Sequence, residues 1–413
     1  MKTIKEFLFF LTIALIPFQD TSLQNLPIGF LGAAPSFIPI SLLLLIIFVE
    51  WMTNGQGLQL SRSLVYIVGY IFIITVVYLV LFGTRSHGTS LIFKSFNLSI
   101  LTGLMVLPIF FLDYDSHRLP QYIYAAFLIA VAGVVLIDLL GWESLGSGSF
   151  FHFHENRNMR PRGFSLESST LSATIITLGL LSAHYARTWM AKAIFLLGAL
   201  LITFYSDSKG GMIIILLTAA IVSLSAAGMK TRFKILFIGI IIIAAFFSIT
   251  MLETRLVSDI DLYTSTSTRT GLMATSVVTM FYNPLGVGFS GFLPAINKYA
   301  PLAVDYLSRA AGGTFNFTEL LSYVGADSDI NISTKTFFFD NLLYFGFPFL
   351  VIFILFHRKL LVFLRKDNSL YLYAAVLFSL VALTTYVGGV GIYSFALVYG
   401  LAFREVGQGN RPA

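Results

Sequence analysis

The sequence predicts an all-α polytopic membrane protein, with about twelve transmembrane helices and two long external segments forming a partly helical cap. Three observations carry that prediction. Of 413 residues, 57% are hydrophobic and 11% are charged, whereas soluble domains carry about 25% charged residues. The mean hydropathy is +0.84. Apolar runs long enough to cross roughly 30 Å of hydrocarbon recur along the whole chain.

In order, the runs centre on Phe7–Phe18, Ala34–Trp51, Val65–Phe82, Leu91–Leu112, Tyr122–Leu140 and Ser168–Ala186. The second half adds Ala191–Tyr205, Gly211–Ala227, Phe233–Met251, Thr336–Phe356, Leu370–Tyr386 and Gly388–Phe403. The first run is short and follows Lys2 and Lys5, as in a signal peptide. With no small-residue cleavage site after Pro17, it is read as a span. Placing the N-terminus inside collects Lys2, Lys5, Arg62, Arg118, Arg187, Lys192, Lys230, Arg232, Lys234, Arg358, Lys359, Arg365, Lys366, Arg404 and Arg411 in the cytoplasm. The short loops opposite hold only Arg85 and Lys209. That asymmetry puts both termini inside, because Lys and Arg are retained on the cytoplasmic side.

Short turns join most of the runs, so two longer segments stand apart, from about 141 to 167 and from about 252 to 335. Both fall on the external side, and long loops in a compact protein usually serve as lids or binding loops. The second contains a predicted helix from Thr270 to Tyr282, followed by the turn-rich NPLGVGFSGF. Neither is large enough to fold separately, so residues 1–413 read as a single integral membrane domain. The absence of cysteine excludes a disulfide framework, an iron–sulfur cluster and a cysteine nucleophile. The net charge of +6 is read through its distribution between loops, and no nucleic acid is implied.

The residues able to carry chemistry lie mostly on the external side. Arg157, Arg160 and Arg162 are close together, and Glu167 opens the next run. Arginines at an interface either reach lipid headgroups or bind an anion, since guanidinium grips phosphate oxygens in a bidentate fork. Glu167 is a helix N-terminal acid, a partner for Arg160 or Arg162, or a general base. His152, His154 and Glu155 lack the second cluster that a metal site requires, and with Phe150, Phe151 and Phe153 they read as an interfacial anchor. In SDSKGG, Lys209 stands at the outer mouth and two glycines allow close backbone approach. Lys94, near the outer end of its run, is expected to snorkel. The long segment carries Arg269 and, further on, Lys298 and Arg309. Acidic residues, among them Asp305 and Glu319, outnumber these, so only oriented arginines would make a site. Asp340 and Asn341 lie inside an apolar run, where an ionisable residue is a functional candidate by default.

Together these features resemble the O-antigen polymerase and O-antigen ligase superfamily. The matching pieces are RPRGFSLESS from Arg160, SDSKGG around Lys209, Arg269 ahead of NPLGVGFSGF, and DNLLYFG beginning at Asp340. The likeness in layout covers nearly the whole chain; the motifs occupy about a tenth of it. The resemblance implies that Arg160 is the arginine before the loop glycine, Gly163, and Glu167 the acid entering the next helix. Lys209 stands where relatives usually carry Arg, and Ser168 where Pro or Asn is common. Ligases of the superfamily carry a functional His in or just after the long loop, commonly followed by Asn. No His occurs here between His184 and His357, and Asp340-Asn341 takes the corresponding place. The resemblance therefore points to the Wzy-type polymerase branch.

That branch implies a reaction on the periplasmic face of a bacterial inner membrane, between undecaprenyl-pyrophosphate-linked oligosaccharides, with no metal, nucleotide or other cofactor. Arg160, Arg162 and Arg269 would bind pyrophosphate, with Lys209 and Arg309 as weaker contributors, and Glu167 or Asp340 would act on the acceptor hydroxyl. Membrane lipid and a polysaccharide chain-length regulator are the implied partners. The readings set against it are an O-antigen ligase, a lipid-linked oligosaccharide flippase, a peptidoglycan glycosyltransferase and a membrane scaffold. A flippase would show paired halves, and no internal repeat is visible. A scaffold gives no reason to cluster arginines and carboxylates at one face.

Overall fold

The computed structural model describes residues 2–25, 29–54, 62–86, 88–114, 116–146, 148–154, 160–225, 239, 265–310, 315–324, 333–366, 369–388 and 393–409. Helices occupy every predicted run except Phe233–Met251, which apart from Gly239 lies outside the described residues. Among the described residues the only sheet is a two-stranded antiparallel hairpin, Arg85–Ser86 with Thr89–Ser90. Among the described residues, four helices are long and apolar enough to cross a membrane: Leu64–Phe82, Leu91–Phe111, Leu119–Leu139 and Phe337–Arg365. Phe37–Thr53, Trp189–Tyr205, Lys209–Ser225 and Leu370–Thr385 are shorter apolar helices.

The centre of the bundle is Ser168–Tyr185. It packs against Leu119–Gly133, Trp189–Tyr205, Leu370–Thr385 and Tyr393–Gly409. Almost every side chain from Leu171 to Ala183 is buried. A helix that is apolar or small on all faces has no solvent side and must be covered all round. Its polar residues satisfy themselves locally, as when the Thr177 hydroxyl donates to the Ala173 carbonyl at 2.7 Å. Gly179 lets Ala199 and the Phe195 carbonyl approach closely, the small-residue contact that membrane helices favour. Outer helices differ. Tyr66, Phe72, Ile73, Val80 and Leu81 of the Arg62–Phe82 helix are exposed, an apolar face that hydrocarbon suits and water does not.

A second apolar cluster forms where the long segment returns to the bundle. The helix Ser265–Tyr282 begins ahead of the predicted Thr270 and is followed by a turn and the helix Phe292–Ala310. The turn docks on a break in the Phe337–Lys366 helix. Gly346 has φ 57° and ψ −145°, which interrupts the helical ladder. The carbonyls freed there are taken up by the turn: Val287 N–H donates to Leu343 at 3.2 Å and Gly288 N–H to Tyr344 at 2.8 Å. In return, Phe347 N–H donates to the Pro284 carbonyl at 2.8 Å. A broken helix between apolar neighbours is tolerated only where other backbone satisfies it in this way. Phe289, Phe292, Leu343, Tyr344 and Phe345 seal the junction.

Gly346→Ala should therefore destabilise the protein by about 2–3 kcal/mol or more, from left-handed backbone strain plus collision with the Pro284 carbonyl. Thermal melting in detergent checks this, and an unchanged melting temperature would contradict the account of the break.

Candidate anion site at the helix ends

Four helices begin, and two end, around Tyr386 and Val387. Tyr386 follows the Leu370–Thr385 helix, and its hydroxyl donates to the Ser169 carbonyl at 2.7 Å. The same hydroxyl lies 2.5 Å from Ser172 Oγ and 2.8 Å from Ser208 Oγ, and those two serines are 2.9 Å apart. This joins the start of Ser168–Tyr185 to the turn between Trp189–Tyr205 and Lys209–Ser225. The paired glycines of that turn have a definite use. A Cβ on Gly210 would strike the Tyr386 ring, and one on Gly211 would strike Ser172.

The Tyr386 carbonyl accepts from Arg269 Nη1 at 3.4 Å. The Val387 carbonyl accepts from Phe337 N–H at 2.9 Å, at the first residue of the Phe337–Lys366 helix. The starts of four helices thus gather at one end of the bundle, and the positive ends of their dipoles favour anions.

The structure brings together most of the residues predicted from sequence. Arg160 is half-exposed, with Nε 3.8 Å from Asp207 Oδ2 in the SDSKGG turn. Asp207 has φ 49°, a left-handed conformation that Asp tolerates better than most residues. Lys209 is half-buried at the first position of its helix, and Arg269 is half-buried beside Tyr386. Glu167 caps the Ser168–Tyr185 helix. Its N–H donates to Thr170 Oγ1 at 3.1 Å, while its exposed carboxylate accepts the Ser169 hydroxyl at 3.2 Å. Asp340 is buried one turn into its helix, where Oδ1 accepts Thr334 N–H at 2.7 Å. Lys94 and Lys335 are close enough for their charges to act on it. Lys94 is thereby turned inward, its Nζ 5.7 Å from the Phe292 ring centroid, where snorkelling was expected.

Two predicted residues stand elsewhere. Arg309 is exposed and forms a forked pair with Asp305, at 2.8 and 3.0 Å on its own helix. Arg162 is buried, and it pairs with Asp20 and the histidine segment rather than with Tyr386. Its Nη2 donates to the His154 carbonyl at 2.6 Å and its Nη1 to the Leu166 carbonyl at 3.2 Å, with Asp20 Oδ2 3.5 Å away. Asp20 also accepts from His154, at 3.0 Å from the backbone N–H and 2.7 Å from Nδ1. His152 is fully buried, with Nε2 2.5 Å from the Gly163 carbonyl. Its Nδ1 faces Asp20 at 3.8 Å, too long for a full hydrogen bond. The two histidines, expected to anchor at an interface, instead brace the arginine loop. Arg157 and Glu155 lie outside the described residues. Among the described residues, no three His, Cys, Asp or Glu side chains are grouped to hold a metal ion.

Three residues that sequence reading missed complete these networks. Asp138 sits in a π-helical turn, Val134–Leu139, and accepts Gly163 N–H at 2.8 Å and Arg162 N–H at 3.4 Å. It is an ionisable residue inside an apolar run, the same signal that singled out Asp340. Asp20 and Tyr386 carry no such mark. Burial alone would raise the Asp20 carboxyl, but the hydrogen bonds from His154, the His154 charge and the neighbouring His152 ring hold it below the ordinary carboxylate value. Burial lowers the affinity of the Arg162 guanidinium for its proton, opposed by the charges of Asp20 and Asp138.

No protein-family model matches the chain. It is similar along 98% of its length to a Klebsiella pneumoniae protein described as an uncharacterized 49.5 kDa protein in the cps region. The two are 26% identical over 429 positions, which span 92% of that protein.

A carboxyl held below its ordinary value stabilises the fold above that range and loses its contribution as the pH falls through the lowered value. The Asp20 contribution should therefore be full near neutrality and be lost progressively only once the pH falls below the ordinary carboxylate range. Asp20→Asn removes a carboxylate charge 3.5 Å from the buried Arg162, and should cost roughly 3 kcal/mol near neutrality, with a smaller difference from wild type in acid. Melting temperatures of both proteins across pH check this, and parallel curves would contradict it.

Proposed function

We propose that the chain is a glycosyltransferase of the Wzy-type O-antigen polymerase kind. It would join undecaprenyl-pyrophosphate-linked oligosaccharide repeat units on the periplasmic face of a bacterial inner membrane. The observation that carries this reading is the convergence on Tyr386 and Val387 of RPRGFSLESS, SDSKGG and Arg269, joined there by Phe337 at the start of the helix that carries Asp340. These pieces are far apart in the chain, and an anionic ligand gives them a common purpose. The relative in a cps (capsule) region supports surface-polysaccharide synthesis as the setting.

In the proposed reaction an acceptor hydroxyl attacks the anomeric carbon of the donor glycan. The new glycosidic bond forms as the bond to the pyrophosphate oxygen breaks, and the electron pair leaves with undecaprenyl pyrophosphate. The main requirement is stabilisation of that departing charge. Arg160, Arg269 and Lys209, aided by the helix N-termini, meet it without further cofactors. Arg162 contributes by positioning, since its hydrogen bonds are directed into the loop that presents Arg160 and Glu167. Arg309 is at most a peripheral contact. The hydroxyl proton passes to Glu167, the exposed carboxylate, or to Asp340, the buried one.

The test uses purified protein with a lipid-linked repeat unit, resolved on a gel. Wild type should give a ladder of lengthening glycans. Arg160→Ala and Arg269→Ala should each reduce it about 100-fold at equal expression and unchanged melting temperature. Wild-type ladders from both variants would overturn the site. Transfer to lipid A–core without a ladder would make the chain a ligase, and transbilayer movement with neither product would make it a flippase.

A further inference from the structure

The segment Ser265–Ala310 has a feature that an external cap does not need. Between Arg269 and Lys298 there is no Asp, Glu, Lys, Arg or His. Its turn also touches two spanning helices well inside their ends. Gly288 lies against the backbone of Thr75, whose carbonyl accepts the Ser290 hydroxyl at 2.6 Å and whose Oγ1 accepts Phe289 N–H at 3.3 Å. Gly286 lies against Tyr344 to Gly346. At 1.5 Å per residue, Thr75 is about 10 Å below Phe82, and Gly346 about 13 Å below Phe337. Both reference ends belong to the end of the bundle that carries the site. Leu91, which follows Phe82 across the short hairpin, bonds back to Thr84, and Lys94 beyond it acts on Asp340. Two antiparallel helices therefore give similar depths.

We propose that Ser265–Ala310 is a re-entrant hairpin, which dips into the near leaflet and presents Phe281, Tyr282 and Leu285, beside Phe347 of the broken helix, to lipid acyl chains. All four are more than half exposed, although they cluster at the turn and the helix break. Hydrocarbon is the partner that such a tip fits. Its polar groups need no water. Thr275, Ser276 and Thr279 donate to carbonyls one turn back, at 2.7, 3.2 and 2.7 Å. Asn283 is held between the Tyr78 hydroxyl at 2.9 Å and the Tyr299 hydroxyl at 3.1 Å, and the Tyr70 hydroxyl donates to the Leu285 carbonyl. Irregular backbone at membrane depth is allowed under that condition. Arg269 and Lys298, the charges on either side of the uncharged stretch, then lie at headgroup level.

The chain contains no cysteine, so single-cysteine variants need no background removal. A nitroxide on Leu285→Cys in proteoliposomes should collide more with oxygen than with a polar nickel chelate. One on Arg85→Cys, in the hairpin just beyond Phe82, should show the reverse order. Phe281→Cys repeats the measurement should Leu285→Cys fail to reconstitute. Chelate accessibility at the tip equal to that at Arg85→Cys would overturn the re-entrant placement. The readout is independent of any polymerising activity.

Discussion

The hydroxyl of one half-buried tyrosine ties this end of the bundle together. Tyr386 leaves the last turn of one helix and reaches a carbonyl and two serines belonging to two other segments, while its own carbonyl receives Arg269. A phenol in such a place must find hydrogen-bond partners or pay its desolvation, and here the partners are the first turns of neighbouring helices. The glycines at 210 and 211 exist to admit the ring and Ser172. The result is a set of helix N-termini held at one point, with Arg160, Lys209 and Arg269 around it.

The strap beneath the arginine loop is the second constraint. Asp20, from the segment after the first helix, and Asp138, from the π-helical turn, grip the loop at Arg162 and Gly163. Neighbouring arginines thus do different work. Arg162 spends its fork on the Asp20 side and on two carbonyls of its own loop, whereas Arg160 is half-exposed next to Asp207. A buried guanidinium matched to carboxylates is costly to disrupt, so the loop has one preferred geometry.

Most helices were legible, because a run of apolar residues long enough to span has few other ways to satisfy its backbone. The positions of Arg160, Lys209, Arg269 and Asp340 at one end of the bundle also followed from sidedness and motif order. What sequence reading could not supply was pairing. Nothing in the local sequence separates the buried Arg162 from Arg160, since the difference lies in Asp20 and Asp138, distant in the chain. Tyr386 sits in an apolar run where one more aromatic carries no signal. His152 and His154 looked like interfacial residues beside three phenylalanines until Asp20 gave them a partner. The depth of the NPLGVG turn was hidden for the same reason, since it depends on Thr75 and Gly346.

The central claim is that Arg160 and Arg269, brought to one place through Tyr386, share one anionic ligand. The most direct measurement is a structure of the protein in a lipid nanodisc with undecaprenyl pyrophosphate bound. The account predicts the diphosphate at the helix ends beside Tyr386, in contact with both arginines. A diphosphate seated elsewhere, at Arg309 for example, or touching neither Arg160 nor Arg269, would contradict it.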